Sequence, residues 1–397
     1  MSTAADRRTF DLLDPSFYQD GPGMHAAFAW MRANEPVYRD ELNGLVAVTR
    51  HADLQEVERR SSVFASDHAY RAVPAAEEIN MIAQDDPRHR QQRMLVQGEF
   101  TGAAVATRKP EIEALTTELI DAMVQQDSAE LIDALSGQLP ARLTCRLLGY
   151  PETMWREVKS WSERLMRTDM RDRDEVVMTE FIAANMEFVQ ALMPLAQERV
   201  GCPAHDLIGT WVNATIDGEP LSQAAIVHEV GLFISGGAET TRTAISHGLR
   251  AFVDHPEQWE AMAADPSLVP GAVEEVLRWV TPLNNMFRRV ASDDFIGGRP
   301  VSAGERVIML YPSANRDELV FDDPYTFDIR RSPNPHVAFG FGTHLCLGTH
   351  VARTTLAAVF GQLSQRLTDL RVVSEPDVEA NIFARAVRRF EVGYRVR

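Results

Sequence analysis

The longest uninterrupted helical pattern in the chain runs from Ser222 to Val253. Its apolar residues recur at the three- and four-residue spacing of a helix face. Ser222 is a suitable N-cap, and Pro256 marks where the helix must stop. A helix of this length spans about 48 Å at about 1.5 Å per residue, which is enough to cross a domain. The pattern therefore favours a mainly helical fold that this helix crosses.

The middle of this pattern contains two adjacent glycines, followed by an acid and a hydroxyl. Gly236 and Gly237 should each cost about 1 kcal/mol relative to alanine, so the missing side chains should serve a purpose. Glu239 and Thr240 follow closely, and a carboxyl beside a hydroxyl can relay protons. Two structural alternatives remain, because glycine pairs also occur at helix kinks and a threonine hydroxyl can bond back to the preceding turn.

A glycine-rich loop with one cysteine, His336 to Gly348, lies near the C-terminus. Cys346 stands where this loop leads into a helical pattern, so its sulfur should meet unpaired backbone N–H groups and the positive end of a helix dipole. Both favour a thiolate, which is a ligand for transition metals. Gly340 and Gly342 permit tight turns, and Gly348 permits close approach of a flat cofactor.

Two other interpretations of this loop remain open, and a third fails. An isolated cysteine is most often a small buried hydrophobe. His344, Cys346 and His350 are close enough in sequence to share a zinc ion. A dinucleotide-binding fingerprint fails, because Leu345 stands where its third glycine is required.

A short helix is predicted near residue 89. Asp86 is a candidate N-cap, and Pro87 suits the first helical position. His89 and Arg93 would then lie on one face, one turn apart. Taken alone this pair is weak evidence for a site, because charged helix faces are commonly solvated.

Together these stretches resemble the cytochrome P450 family. The resemblance rests on the pattern Phe339-Gly340-x-Gly342-x-His344-x-Cys346-x-Gly348, which is similar to the family's cysteine-ligand loop, and on the oxygen-activation and propionate-binding motifs at 236–240 and 89–93. It implies a mainly α (α+β) fold. In that fold a large helical region and a smaller β-rich region hold haem b between the central helix and the helix after the cysteine. It also implies a single haem-thiolate monooxygenase domain over residues 1–397.

The resemblance implies roles for individual residues. Cys346 would bind the iron, and Glu239 and Thr240 would be catalytic, delivering protons. The further cofactor-binding residues would be His89, Arg93, Gly236, Gly237, Arg288, Phe339, His344 and Gly348. Because Arg289 is adjacent, the resemblance does not decide whether Arg288 or Arg289 is the cofactor-binding arginine. Strand alternation would place only one of the two on the pocket side.

The chain departs from the family pattern at two positions. His344 stands where the family usually has arginine two residues before the cysteine, which bears on how firmly a haem propionate is held. Glu275 and Arg278 match a buried structural pair, but Thr326 replaces the arginine that usually completes it. Arg330 is a candidate substitute.

The implied activity is insertion of one oxygen atom from O2 into a small hydrophobic substrate, with two electrons from a separate ferredoxin and ferredoxin reductase. More narrowly, the segments 85–87, 233–241, 285–288 and 336–348 resemble actinobacterial enzymes that hydroxylate steroid side chains, including cholesterol and cholestenone. A polyketide, terpene or fatty acid is the alternative substrate, and a noncatalytic haem-thiolate sensor is the alternative function. The acid and threonine favour an enzyme, because a sensor does not need them.

Several apolar residues are expected at the substrate pocket, namely Phe233, Leu283, Met286, Phe287 and Ile382. Helices between about residues 152 and 199 would cover it. The segment 61–84 has no clear period and predicts a long loop. The segment 283–310, interrupted by glycines, predicts strands and turns.

Composition and charge limit which cellular compartment and which classes of partner we expect for the chain. A formal net charge of -17 opposes nonspecific nucleic-acid binding, which needs clustered cations. No run of about 18 apolar residues is seen, and residues 1–8 lack the apolar core of a signal peptide, so we expect no membrane anchor and a cytoplasmic location. Cys145, Cys202 and Cys346 are too few for a disulfide framework.

Overall fold

The computed structural model describes residues 8–170, 174–203 and 205–397 of the chain. Most of the N-terminal stretch that argued against a signal peptide lies outside the described residues. So does a short part, 171–173, of the segment expected to cover the pocket.

Helices dominate the structure, with 55% of the residues in helices and 15% in strands. The predicted mainly α fold with a smaller β-rich part is therefore confirmed. The helices are α1 (Pro15–Gln19), α2 (Gly21–Asn34), α3 (His51–Arg59), α4 (Arg88–Val96), α5 (Gly102–Met123), α6 (Gln138–Leu148), α7 (Trp155–Leu165), α8 (Glu175–Glu198), α9 (Leu207–Val212), α10 (Gln223–Asp254), α11 (Pro256–Ala264), α12 (Val269–Val280), α13 (Tyr311–Ala314) and α14 (Thr349–Arg366).

The predicted central helix is present as α10. Its N-cap is Ser222, whose hydroxyl accepts the N–H of Ala225 as expected. The N-terminal half of α10 packs into an apolar cluster with α6, α7, α8 and α9. The C-terminal half packs into a second cluster with α12 and α14. Because each large apolar side chain that is buried contributes about 1.5–3 kcal/mol, this helix connects and stabilises both clusters.

The strands form one larger sheet and three small ones. The larger sheet has the order β1-β2-β10-β7-β3, the second has β11-β12-β4, and β5-β6 and β8-β9 are two-stranded. The strands are β1 (Val37–Asp40), β2 (Leu45–Val48), β3 (Phe64–Ala65), β4 (Ser128–Glu130), β5 (Thr215–Ile216), β6 (Glu219–Pro220), β7 (Asn285–Val290), β8 (Asp294–Ile296), β9 (Arg299–Val301), β10 (Arg306–Leu310), β11 (Leu367–Val378) and β12 (Val387–Val396).

Two local predictions were wrong at their boundaries. Pro87, not Asp86, is the N-cap of α4, although the Asp86 carboxylate still accepts the N–H of Arg90 at 3.2 Å. Residues 129–148 have a helical period in the sequence, which predicts one helix. The structure differs, because Ser128–Glu130 pairs with β12 as strand β4 and the segment Ile132–Ser136 is a π-helix. Backbone pairing with a distant strand overrides the local period there.

Helix α8 bears on the membrane prediction. By length and composition alone it is the one helix of the described residues that could cross a membrane, and 22% of its apolar window is buried. The sequence expectation concerned an uninterrupted run of about 18 apolar residues, and α8 contains no such run, because Glu180, Asn185 and Glu187 interrupt it. One such helix is weak evidence for a span, and its residues Ala184, Phe188 and Leu192 pack in the same cluster as α7 and α9.

The Glu275–Arg278 pair is fully buried, with Arg278 Nη2 2.7 Å from Glu275 Oε1. Arg331 completes it, since its Nε lies 3.2 Å from Glu275 Oε2. Arg330, the substitute suggested by the sequence, is exposed. Thr326 contributes its backbone carbonyl, which accepts from both Arg278 and Arg331. The arginine that the family usually has at this point is thus replaced by one five residues further along the chain.

We expect Arg331→Gln to lower the free energy of unfolding by about 2–3 kcal/mol. Removing one partner of a buried pair costs about 3–5 kcal/mol, and the remaining Arg278 should reduce that cost here. The matched control is Arg330→Gln, which should change stability by less than about 0.5 kcal/mol because the residue is exposed. Urea unfolding of the three proteins measures this, and equal effects of both substitutions would contradict the assignment.

Candidate functional site

A cavity of about 570 Å³ lies between α10 and the loop that precedes α14. All but one of the predicted site residues line it, although they come from four separate parts of the chain. The lining set includes His89, Arg93, Gly236, Gly237, Thr240, Arg288, Phe339, His344, Cys346 and Gly348. The exception is Glu239, which is buried on another side of α10.

The cysteine loop turns sharply before it reaches α14. Gly340 and Gly342 have φ angles of 70° and 69°, which favour glycine. A Cβ at Gly342 would lie 2.4 Å from the backbone oxygen of Glu58, so a larger residue cannot fit there. The Cys346 N–H donates to the Phe339 carbonyl at 2.9 Å and closes the loop.

Cys346 has accessible surface because it lines the cavity, while protein surrounds its thiol on the other sides. Burial by the surrounding protein raises its pKa, and the Gly348 N–H and the nearby Arg93 and Arg353 oppose that effect only in part. The sequence predicted that the helix start would favour a thiolate. The Gly348 N–H does lower the pKa of the thiol, but the effect of burial is larger and the net shift is upward. A bound metal would deprotonate the thiol outright.

The zinc alternative for this loop is not supported. Within the described part of the chain no three His, Cys, Asp or Glu side chains are placed to share a metal ion. The ring of His350 lies instead beside Gly102, where an added Cβ would be 3.5 Å from its Cε1.

Two imidazoles and an arginine meet beside the thiol. The ring centroids of His89 and His344 are 4.1 Å apart. His344 Nε2 lies 3.1 Å from the Ser66 hydroxyl, and Arg93 Nη2 donates to the Leu345 carbonyl at 2.8 Å. Burial, with nearby arginines, lowers the pKa of His344 to about 2, so its ring is neutral. A neutral ring still donates one hydrogen bond.

Strand alternation separates the two adjacent arginines of β7 as expected. Arg288 is 3% exposed and lines the cavity. Arg289 lies on the other face, where it pairs with Asp67. The cavity side therefore receives one guanidinium from this strand.

Glu239 and Thr240 point in different directions from α10. Thr240 lines the cavity, and its hydroxyl donates to the Gly236 carbonyl at 2.8 Å. This is the backbone bond that the sequence offered as a structural alternative, and it coexists with access to the cavity. The Glu239 carboxylate is paired with Arg242 and with Arg388, whose Nη1 is 3.3 Å from it.

An alternating chain of charges connects this buried acid with the surface. Arg388 also pairs with Glu379. Glu379 lies 2.7 Å from Arg167, and Arg167 lies 2.6 Å from Glu180, which is 40% exposed. Glu239 is thus linked through four successive ion pairs to a side chain in contact with solvent.

These groups fit a flat cofactor that carries a metal and acidic edge groups. A Cβ at Gly236 would meet nothing within 4 Å, and one at Gly348 would meet only the Cys346 sulfur, at 3.8 Å. These two glycines therefore leave space that a cofactor could occupy. His89 Nε2 is buried without a hydrogen-bond partner among the described residues, so it is available to a carboxylate.

Comparison with known proteins agrees with this geometry. The family model described as Cytochrome P450 matches residues 145–381. A steroid C26-monooxygenase of Mycolicibacterium smegmatis is 36% identical over 378 residues, covering 95% of this chain and 94% of that protein. The chain belongs to the cytochrome P450 family. The haem-dependent monooxygenase predicted from the sequence is confirmed at the level of the family.

Solved P450 structures share the whole fold. A Mycobacterium marinum cytochrome P450 in complex with pseudoionone has a TM-score of 0.89 and 32% identity, and the match covers 98% of this chain and 100% of that one. A Bacillus megaterium protein solved in complex with testosterone has a TM-score of 0.86 and 28% identity, with 95% and 98% covered.

The P450 cavity continues from the cysteine loop into an apolar region. Phe233, Leu283 and Met286 line it as expected. The placement of Phe287 and Ile382 there was wrong, because both are buried in the apolar cluster beneath β2 and β10. Phe383, one residue further along the same turn, lines the cavity instead.

Sequence reasoning missed Glu58, which lines the cavity beside Arg288. Its carboxylate is 4% exposed, accepts from the Tyr311 hydroxyl at 2.8 Å, and lies 3.9 Å from Arg288 Nη2. Burial raises its pKa to about 7, against the opposing effects of Arg288, Tyr311 and the Phe341 N–H. In the sequence Glu58 is one of several charged residues on a polar helix, so no local signal marks it.

Glu58 should make folding stability depend on pH. Its pKa is raised above the ordinary 4.5, so its favourable contribution is complete below about pH 4.5 and is lost as the pH rises through about 7. With about 1.4 kcal/mol per pKa unit, the loss amounts to roughly 3 kcal/mol. Glu58→Gln removes this dependence, so its stability relative to wild type should increase between pH 5 and 8.

The measurement is urea unfolding at several pH values and equal haem content. Glu56→Gln is the matched control, because Glu56 is exposed on the same helix. That variant should follow the wild-type pH dependence. A constant difference between Glu58→Gln and wild type across this range would show that the carboxyl titrates normally.

Proposed function

We propose that this P450 hydroxylates a steroid, or a similarly large and rigid apolar molecule, by inserting one oxygen atom from O2. The observation that carries the proposal is that Cys346 and Thr240 line one cavity, which continues between Phe233, Leu283, Met286 and Phe383. A relative named as a steroid C26-monooxygenase and a neighbour solved with testosterone support the substrate class. Burial of an apolar ligand contributes about 25 cal/mol per Å².

The cofactor we propose is haem b, held at four points of the chain. The Cys346 sulfur would bind the iron, and His89, Arg93, Arg288 and His344 would bind the propionates by hydrogen bonds, which are strongest from the charged arginines. Haem iron with a thiolate ligand supplies reductive activation of dioxygen. Gly236 leaves room above the site, and Gly237 lines the cavity where an added Cβ would lie 2.9 Å from Thr144 Oγ1. Phe339 and Gly348 line it on the cysteine side.

Thr240 and Glu239 would divide proton delivery between them. The Thr240 hydroxyl stands at the cavity and can hold a proton there. Glu239 can receive protons from solvent only by way of its arginine partners or by leaving one of them, because both its ion pairs are inside the protein. The ion-pair chain that ends at Glu180 would connect such a rearrangement of Glu239 with the protein surface.

We propose that electrons come from a separate ferredoxin and ferredoxin reductase, with docking on the side of the cysteine loop. The exposed apolar residues Met94 and Leu345, 57% and 41% exposed, lie on this side with the exposed Arg90. The nearby Arg353 is paired with Glu274 at 2.7 Å and stacks on Phe339. Its charge is therefore already partly balanced.

Two further statements belong to the proposal. The chain would act as one domain over residues 1–397, supported by the continuity of α10 through both apolar clusters. Its location would be cytoplasmic, supported by the three free cysteines, which suit a reducing compartment.

The substrate class is tested by titrating the haem-loaded enzyme with cholestenone, a macrolide and a long-chain fatty acid. We expect cholestenone to shift the haem absorption spectrum with a micromolar dissociation constant. Cys346→Ser is the cofactor control, and its reduced CO complex should lose the thiolate-type spectrum. A shift with the macrolide or fatty acid but with no steroid would overturn the steroid proposal and leave the family assignment intact.

The proton relay is tested by Thr240→Ala. Product per electron should fall roughly 10- to 100-fold while peroxide release increases, because a general acid contributes about 10²–10⁴-fold and water can partly replace the hydroxyl. The control is Thr241→Ala, which removes the neighbouring hydroxyl in the same cavity. Glu239→Gln should slow turnover and raise the solvent isotope effect. Unchanged coupling in Thr240→Ala and unchanged turnover in Glu239→Gln would mean that the pair only packs the helix.

A further inference from the structure

Arg71 is a buried cation at the cavity whose purpose the haem site does not explain. Among the described residues five arginines line the cavity. Three of them have other partners: Arg93 bonds to the cysteine loop, and Arg108 and Arg146 pair with glutamates near the surface. Arg288 lies beside Glu58. Arg71 is 6% exposed and contacts none of these groups, but packs against the segment that follows α7 and the turn before β12.

The Arg71 guanidinium is held rigidly. Its Nε donates to Asp169 at 2.9 Å and its Nη2 donates to the Met166 carbonyl at 3.3 Å. Its central carbon lies 3.7 Å from the centroid of the Phe383 ring. Behind it, Arg306 donates to the carbonyls of Arg71 and Ala72, which fixes the backbone of this loop.

This arrangement leaves donors unused. A guanidinium has five N–H groups in a fixed plane. The Nη1 of Arg71 donates to no residue that the structure describes, and the side chain lines the cavity. A ligand that excludes water from this part of the cavity would leave the donor unpaired, at a cost of about 1–3 kcal/mol, unless the ligand itself supplies an acceptor oxygen.

The surroundings determine what kind of oxygen fits. Asp169 pairs with Arg71, and both side chains are buried, at 1% and 7% exposure. The second cation nearby, Arg306, lies over the Phe287 ring and donates to backbone carbonyls behind Arg71, outside the cavity lining. A second carboxylate would therefore bring an unbalanced negative charge into an apolar region formed with Met166, Leu283, Met286 and Phe383. A neutral acceptor, such as a keto or hydroxyl oxygen, brings no such cost.

We propose that Arg71 binds a neutral keto or hydroxyl oxygen at the end of the substrate remote from the carbon that is oxidised. The proposal rests on the proposed function and adds a specificity-determining residue to it. A keto-steroid has the required form, because it carries one oxygen at the end of a rigid apolar body and an alkyl tail at the other. Arg71 would then set which end of the molecule faces Cys346 and Thr240.

The experiment compares cholest-4-en-3-one with cholest-4-ene, which differ only in the keto oxygen. Dissociation constants are read from the haem absorption spectrum and by calorimetry. For wild type the keto-steroid should bind roughly 10- to 100-fold more tightly, the range of a hydrogen bond from a charged donor. In Arg71→Met this ratio should fall to about 1.

Two further variants separate binding from folding. Asp169→Asn removes the ion pair but keeps the donors of Arg71, so the ratio should be retained. Arg71→Lys keeps a cation for Asp169 but lacks the planar fork, so the protein should fold while the ratio falls severalfold.

The outcomes distinguish the two proposals. A wild-type ratio near 1 would show that Arg71 only holds its loop against the segment after α7. The same conclusion would follow if Arg71→Met lowered the affinity for both steroids equally. Failure of wild type to bind either steroid would instead overturn the proposed substrate class, and with it this inference.

Discussion

The structure depends on a single helix that must serve as core element and as cavity wall. Helix α10 contributes apolar side chains to the two clusters that make up most of the interior. In its middle it must give up side chains, because Gly236 and Gly237 both line the cavity. Two glycines cost about 2 kcal/mol of helix propensity, which the packing on either side offsets easily. The helix therefore remains continuous at the two glycines, where its intrinsic helix propensity is lowest.

The charge distribution around this helix follows from the same constraint. Glu239 lies next to the glycines but turns away from the cavity, into protein that offers no water. An isolated carboxylate could not remain ionised there, so Arg242 and Arg388 accompany it. Their own charges need Glu163 and Glu379 in turn. The result is a row of alternating positive and negative side chains that ends at the solvent-exposed surface.

Sequence reasoning succeeded where chemistry is concentrated in one stretch. The cysteine loop and the capped central helix each carry their own local signals, and each has the predicted form. It failed where a residue acquires its role from distant neighbours. Glu58 meets Tyr311 and Arg288 only after the sheet forms, and Arg331 reaches Glu275 only through the path of its loop. Phe287 and Ile382 were wrongly placed at the cavity, and Phe383 lines it, because the direction of a side chain depends on register, which the sequence does not state.

The turn between β11 and β12 contributes to both the ion-pair chain and the cavity wall. Glu379, at its start, belongs to the ion-pair chain, and Phe383, four residues later, is part of the cavity wall under Arg71. The turn is closed by a bond from the Glu379 N–H to the Ala386 carbonyl at 2.9 Å, so its two ends move together. A ligand that displaces the Phe383 ring would therefore act on the same turn that holds Glu379 beside Arg388. Any coupling through this turn would be reciprocal, so that substrate binding and proton supply would alter each other's equilibrium by the same factor.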